Sequence, residues 1–190
     1  GMKLNGKVLE YTELGILIKF QGQYLNGDKN GRGIEYDDNG KIIFEGEYLN
    51  GKKFKGKEYY NNCQIKFEGE YLNGRKWNGI MYGFKFKKKF ELKNGAGKVK
   101  EYNSKGKLIF EGEYLDGKRW KGKIIEYNSL DTLMFESEYL NGEKNGKGKE
   151  CDEYRLIYDG EYLNGKRNGK GKEYYNIKDI YDLKENKNFE

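Results

Sequence analysis

Six copies of one short string, G-x-Y-L-[N/D]-G, decide what this chain can fold into. It stands at residues 22–27, 46–51, 69–74, 112–117 and 160–165, and at 137–142 with Ser137 for the first glycine. An aromatic precedes each copy by two residues, at Phe20, Phe44, Phe67, Phe110, Phe135 and Tyr158, and Phe90 marks a shortened copy between the third and fourth. Successive aromatics lie 20 to 25 residues apart. At such a period each repeat is one supersecondary unit of a stacked array.

Within a unit, F-E-G-E-Y-L alternates by two. Phe44, Gly46 and Tyr48 therefore share one face of a strand, and Glu45, Glu47 and Leu49 share the other. Asn50-Gly51 supplies a tight turn, and K-G-K-E-Y-Y forms the returning strand. A glycine held between two aromatics predicts a ring from a neighbouring hairpin lying over bare backbone. One such hairpin buries too little to fold alone, so neighbours complete it. The composition fits a thin, repeated core: 35% apolar and 36% charged residues, mean hydropathy −1.08, yet 16% aromatics at fixed phase and no proline. The expectation is all-β, one elongated array of stacked hairpins.

The pattern aromatic-x-G-x-Y-x-x-G-K-x-x-G-x-G, clearest in YDGEYLNGKRNGKGKEY at 158–174, resembles MORN repeats (membrane occupation and recognition nexus). The likeness covers about residues 20–174. It implies a single-layer, twisted antiparallel sheet forming a grooved rod, with roles in protein binding, scaffolding and attachment to membranes or cytoskeleton. Tyrosine stands where many members carry tryptophan, while Phe54, Trp77 and Trp120 enter the turn region.

The array is expected to span 20–175, preceded at 1–19 by a degenerate half-repeat that caps it. A capping helix is expected after Asn176, where Ile177, Ile180 and Tyr181 follow helical spacing to Lys184. Residues 80–89, IMYGFKFKKK, break the rhythm. They read as a variant strand with Tyr82, Phe84 and Phe86 on one face, the alternative being a loop that recognises a partner.

Catalysis finds little support. The chain has no histidine, and Ser104, Ser129 and Ser137 lie in no nucleophile motif. Glu45, Glu68, Glu111 and Glu136 recur as a periodic surface feature. Asp37-Asp38-Asn39-Gly40 lacks the alternating ligands of a calcium loop and reads as a hairpin turn. Neither a cofactor nor a metal is expected. Cys63 and Cys151 form no metal or disulfide pattern, and Cys151 replaces the tyrosine of other units as a small buried residue. With no apolar stretch near the roughly 18 residues of a spanning helix, a cytoplasmic protein is expected, peripheral at a membrane or cytoskeleton if attached.

Two surfaces follow. An aromatic groove lined by Tyr24, Tyr48, Tyr71, Tyr114, Tyr139 and Tyr162 would take a partner's helix or extended segment, with Trp77, Trp120 and Phe54 as aromatic anchors. Cations follow each turn, at Lys52, Lys53, Arg75, Lys76, Lys118, Arg119, Lys166 and Arg167, and would align as a basic edge able to meet anionic lipid. The leading reading is a non-enzymatic protein-binding scaffold. The alternatives are a peripheral membrane module and an antitoxin or immunity-type inhibitor. A homodimer is left open, and nucleic acid is not expected because the rings are committed to packing.

Overall fold

The computed structural model describes residues 5–13, 15–86, 88–152 and 155–175. They form strands β1 (Gly6–Tyr11), β2 (Ile18–Leu25), β3 (Asp28–Tyr36), β4 (Ile42–Leu49), β5 (Lys52–Tyr59), β6 (Ile65–Leu72), β7 (Arg75–Tyr82), β8 (Lys89–Leu92), β9 (Gly97–Tyr102) and β10 (Leu108–Leu115). After these come β11 (Lys118–Tyr127), β12 (Leu133–Leu140), β13 (Glu143–Cys151), β14 (Leu156–Leu163) and β15 (Lys166–Glu173). The chain divides after Trp120 into two compact units. In the first, β1 to β8 make one antiparallel sheet in sequence order, and β9 pairs with β10. In the second, β11 to β15 pair successively in the same way.

Two kinds of turn make the hairpins. At the tip between β4 and β5, Asn50 (φ 49°) and Gly51 (φ 78°) both adopt positive φ, the I′ geometry that matches strand twist. At the other end, a side chain closes the loop. Asp37 Oδ1 accepts from the backbone N–H of Asn39 (2.9 Å) and Lys41 (2.8 Å), and Asn103 and Asn128 do the same in their loops. The hydrogen bond from Lys41, against a smaller opposing effect of desolvation, holds the Asp37 carboxyl below its ordinary pKa.

The alternation read from the sequence places the core correctly. Phe20, Phe44, Phe67 and Phe110 are at most 1% exposed, while Leu49 is 51% exposed on the opposite face. Glycines pair across the first sheet in one row: Gly22, Gly33, Gly46, Gly56, Gly69 and Gly79. The covering ring comes chiefly from the same hairpin, which corrects the expectation of a neighbour's ring. A Cβ on Gly46 or Gly56 would lie 2.8 or 2.7 Å from the Phe44 ring, so the strand's own phenylalanine folds back over both. The next hairpin adds its tyrosine: Tyr48 meets Phe20 edge-on at 5.4 Å, and Tyr71 meets Phe44 at 5.8 Å.

Residues 80–89 do not form the continuous variant strand expected. β7 ends at Tyr82, and a tight 3-10 turn at Phe84–Phe86 follows, broken by Lys85 at φ 59°. Phe84 leaves the sheet face to pack on Tyr60 (6.3 Å) and on the Gly106 turn, which only a glycine could let it approach so closely. The capping helix expected from Asn176 lies outside the described residues. Cys151 is partly buried, with burial pushing its thiol pKa up.

Candidate interaction surfaces

The glutamate near the end of each returning strand organises the junction to the next hairpin. Glu58 accepts from the Tyr71 hydroxyl (3.1 Å) and pairs with Lys76 (2.8 Å). Glu101 accepts from Tyr114 (2.8 Å) and receives Arg119 through Nε (2.8 Å) and Nη2 (3.0 Å). Glu10 takes Tyr24 and Lys29, and Glu35 takes Lys53 at 2.9 Å. In the second unit Glu126 pairs with Lys144 (3.8 Å), and Glu150 takes Tyr162 (2.6 Å) and Arg167. Each cation also lies over the aromatic of its own hairpin: Lys29 on Phe20 at 3.8 Å, Lys53 on Phe44 at 4.2 Å, Arg119 on Phe110 at 5.0 Å and Lys144 on Phe135 at 3.5 Å.

The electrostatics of these clusters follow from burial. It raises the pKa of Tyr48, Tyr71 and Tyr114, with the adjoining carboxylates adding to the shift. Burial also pushes the Glu58 and Glu101 carboxyls up, but the charges and hydrogen bonds of Lys76 and Arg119 respectively outweigh it, leaving both below the usual range. These groups neutralise one another inside the fold.

Four of the six groove tyrosines are therefore core: Tyr48, Tyr71, Tyr114 and Tyr162 are 4 to 8% exposed, while Tyr24 and Tyr139 are half-buried. One of the open clefts among the described residues lies on the other face. It measures about 490 Å³ and runs over the glycine row between Arg32, Glu45, Glu47, Lys55 and Lys57. The expected basic edge is halved, because Lys53, Lys76 and Arg119 turn inward to the glutamates and Arg167, though still exposed, pairs with Glu150, leaving Lys52, Arg75, Lys118 and Lys166 as the exposed cations outside these junctions. The three expected anchors occupy different surroundings. Trp77 lies against the Asn94-Gly95 turn, whose Gly95 N–H donates to the Trp77 carbonyl (2.8 Å). Trp120 is half-buried, and Phe54 is 47% exposed.

Three features escaped the sequence reading. The exposed glutamates it singled out do form surface pairs, such as Glu68 with Lys57 (3.6 Å) and Glu136 with Lys123 (2.8 Å), whereas the glutamates of the returning strands organise the interior. Their signal was available in the recurrent Glu-Tyr of those strands. Lys66 was also missed, a half-buried lysine where four other units carry Ile43, Ile109, Met134 and Ile157 and the first carries the exposed Lys19. Desolvation, then the charge of Lys76, pushes its pKa down, and its Nζ sits 5.8 Å from the Tyr60 ring centre. Finally, the leucine closing each outgoing strand is exposed: Leu25 52%, Leu49 51%, Leu72 47%, Leu115 45%, Leu140 39% and Leu163 49%.

No helix among the described residues is long and apolar enough to cross a membrane. The MORN repeat family model matches residues 20–42, 135–152 and 158–179. Each matched segment contains the string Asn-Gly-x-Gly after the tip, whereas Phe54, Trp77 and Trp120 all fall in the unmatched stretch between 43 and 134. No curated protein matches the chain.

Proposed function

Since the chain is a MORN-repeat protein, we propose that it is a non-enzymatic scaffold that binds a protein partner along its hairpin tips. MORN repeats commonly serve as modules for protein or membrane interaction. The observation that carries the reading is the division of residues at the tips: four of the six tyrosines are buried and half of the cations are held by the junction glutamates, while a leucine and a cation remain exposed at Leu49 and Lys52, and at Leu72 and Arg75. An exposed apolar residue repeated at fixed register beside unpaired charge suits recognition better than solvation. Partner uptake by the tyrosine row has less support, since truncating those rings would first cost the core.

The test is affinity capture from the native host by immobilised wild-type chain and by a Leu25→Ser, Leu49→Ser, Leu72→Ser variant of unchanged melting temperature. A protein retained by the first and lost from the second supports the scaffold. Identical capture profiles would remove the tips from the argument.

Adsorption to an anionic membrane is the second reading, supported by the same leucine and cation pairs. Its electrostatic part is weaker than the sequence implies, because Lys53, Lys76, Arg119 and Arg167 are already paired. Each exposed cation near such a surface contributes about 1 kcal/mol. Liposome sedimentation should then fall sharply between low salt and about 0.15 M, where screening acts over roughly 8 Å. Sedimentation that survives reversal of Lys52, Arg75 and Lys118 to glutamate counts against it.

A further inference from the structure

We propose that the tip edge of the first sheet docks an acidic amphipathic α-helix of heptad period, laid across the strands over Leu25, Leu49 and Leu72. This names the partner class for the scaffold proposed above and rests on that reading.

The argument is one of spacing and charge. Leu25, Leu49 and Leu72 occupy the same position in three consecutive hairpins, each the last residue of its outgoing strand and about half exposed. Each pairs across its tip with an exposed residue, Leu25 with Asp28, Leu49 with Lys52 and Leu72 with Arg75. Adjacent tips are held at strand spacing: the Gly51 N–H donates to the Lys29 carbonyl at 2.9 Å, and Gly74 lies against Lys52. Equivalent leucines are therefore two strands apart, about 9.6 Å. Seven residues of an α-helix rise about 10.5 Å. A helix with one apolar residue per heptad would meet successive leucines in step over the three hairpins, whereas an extended strand repeats at about 6.6 to 6.8 Å and falls out of register.

The apolar line is one residue wide, which suits the narrow seam of such a helix. Charge specifies what flanks the seam. Lys52 and Arg75 are exposed and form no ion pair among the described residues, unlike the inward cations at the next positions. The helix is thus acidic over the second and third hairpins, while Asp28 favours a basic residue over the first.

The experiment uses the full chain and two synthetic helical peptides of about three heptads. In one, leucines stand every seventh residue with glutamates beside them. The other has the same composition, with its leucines redistributed at intervals of five and nine. Fluorescence anisotropy should show the phased peptide binding at least about tenfold more tightly, and Leu49→Ser with Leu72→Ser should weaken it by a similar factor. With a third peptide, the phased one carrying lysines in place of the glutamates, Lys52→Glu with Arg75→Glu should reverse the preference, which keeps the test open if the leucine variant folds poorly. Equal binding of the two peptides, or unchanged affinity in both protein variants, overturns the helix. So does a chain that ignores both peptides yet sediments through Leu49 and Leu72 with phosphatidylserine vesicles, or that forms dimers through them. Loss of phase preference alongside host capture that still depends on the tips overturns the helix and leaves the scaffold standing.

Discussion

The hairpins β2–β3, β12–β13 and β14–β15 differ from β4–β5 and β6–β7 at one place, just after the tip. In the first group, β3 fits Asn30-Gly31-Arg32 opposite the single residue Gln23, with Gly31 at φ 88° and the Gln23 Oε1 accepting from Arg32 N–H at 3.0 Å. β15 repeats this, with Gly169 at φ 79° and Glu161 accepting from Lys170 at 3.0 Å. In the second group a single extra residue is inserted, Phe54 in β5 and Trp77 in β7. Two extra residues preserve the alternation of faces, and one reverses it. Both solutions deliver the same product, a cation swung inward over the ring and onto the preceding glutamate. The bulge residue is thus a free variable, whereas the cation, glutamate and tyrosine behind it are not.

The largest expected effect comes from that fixed part. Glu101 is 5% exposed and engages the partly buried Arg119, whose hairpin carries Trp120, so Glu101→Gln should cost about 3 kcal/mol, the lower end of the cost of breaking a buried pair, by leaving that guanidinium without its carboxylate. Glu150→Gln, beside an Asn-Gly hairpin and a more exposed Arg167, should cost about 1 kcal/mol. Equal urea midpoints for the two variants would break the claim that burial grades the junctions. Acid should act on the same groups. Because the folded pKa of Glu58, Glu101 and Glu150 lies below the ordinary glutamate value, their stabilisation is present above about pH 4.3 and is lost as pH falls through the folded values. Glu101→Gln should therefore flatten the decline of stability below that pH, followed by urea midpoints across an acid series.

Next in size is the contrast within the single-residue bulges. Trp77 covers the Asn94-Gly95 turn, so Trp77→Ala should cost about 2 to 3 kcal/mol, short of the full penalty for a buried ring. Phe54, 47% exposed, should cost less than about 1 kcal/mol on the same change. If Phe54→Ala proves the more damaging, the cover assigned to Trp77 is wrong.

The repeat, the hairpins, both turn ends and the core phenylalanines were legible because each depends on local spacing. Lys53 and Lys76 were not. Counting by two from Gly56 or Gly79 puts them on the outer face, and only the extra residue at Phe54 or Trp77 returns them to the inner one. Their placement depends on a pairing register that alternation within one strand does not contain. Phe84 was misread for a related reason: it alternates properly with Tyr82, but the chain leaves the sheet after Tyr82 to reach Tyr60 and Gly106, partners 24 and 22 residues away in sequence. Alternation placed Leu49 on the outer face with Glu45 and Glu47, but its capacity to serve as a contact was not legible, because spacing gives the face of a side chain and not how far its neighbours leave it exposed.

A smaller effect tests the glycine bulge. At φ 88° a methyl group on Gly31 is strained and would push the Gln23 amide off the Arg32 N–H, so Gly31→Ala should cost about 1 to 2 kcal/mol. The same change at Gly40, also at positive φ but with nothing within 4 Å, should cost less, through backbone strain alone. A urea series on both separates crowding from conformation.

The smallest expected effect is the most informative about the comparison. Replacing Phe54 by the dipeptide Asn-Gly lengthens β5 by one residue and gives it the sequence of the other group, Lys-Asn-Gly-Lys-Gly. The acceptor this bulge needs is already in place: Glu47 precedes Tyr48 as Gln23 precedes Tyr24 and Glu161 precedes Tyr162, so its carboxylate can take the Lys55 N–H as Glu161 takes that of Lys170. The added residue restores the alternation, and Lys53 keeps its inward position over Phe44 and its pair with Glu35. Stability should change by less than about 1 kcal/mol, a lost half-exposed ring being offset by a satisfied turn. The check on mechanism is Lys53→Met in both backgrounds, where its cost should be the same within about 0.5 kcal/mol. A loss above about 2 kcal/mol for the dipeptide, or a Lys53→Met cost that vanishes in its presence, would mean that the register slipped and that the two bulges are not interchangeable routes to one junction.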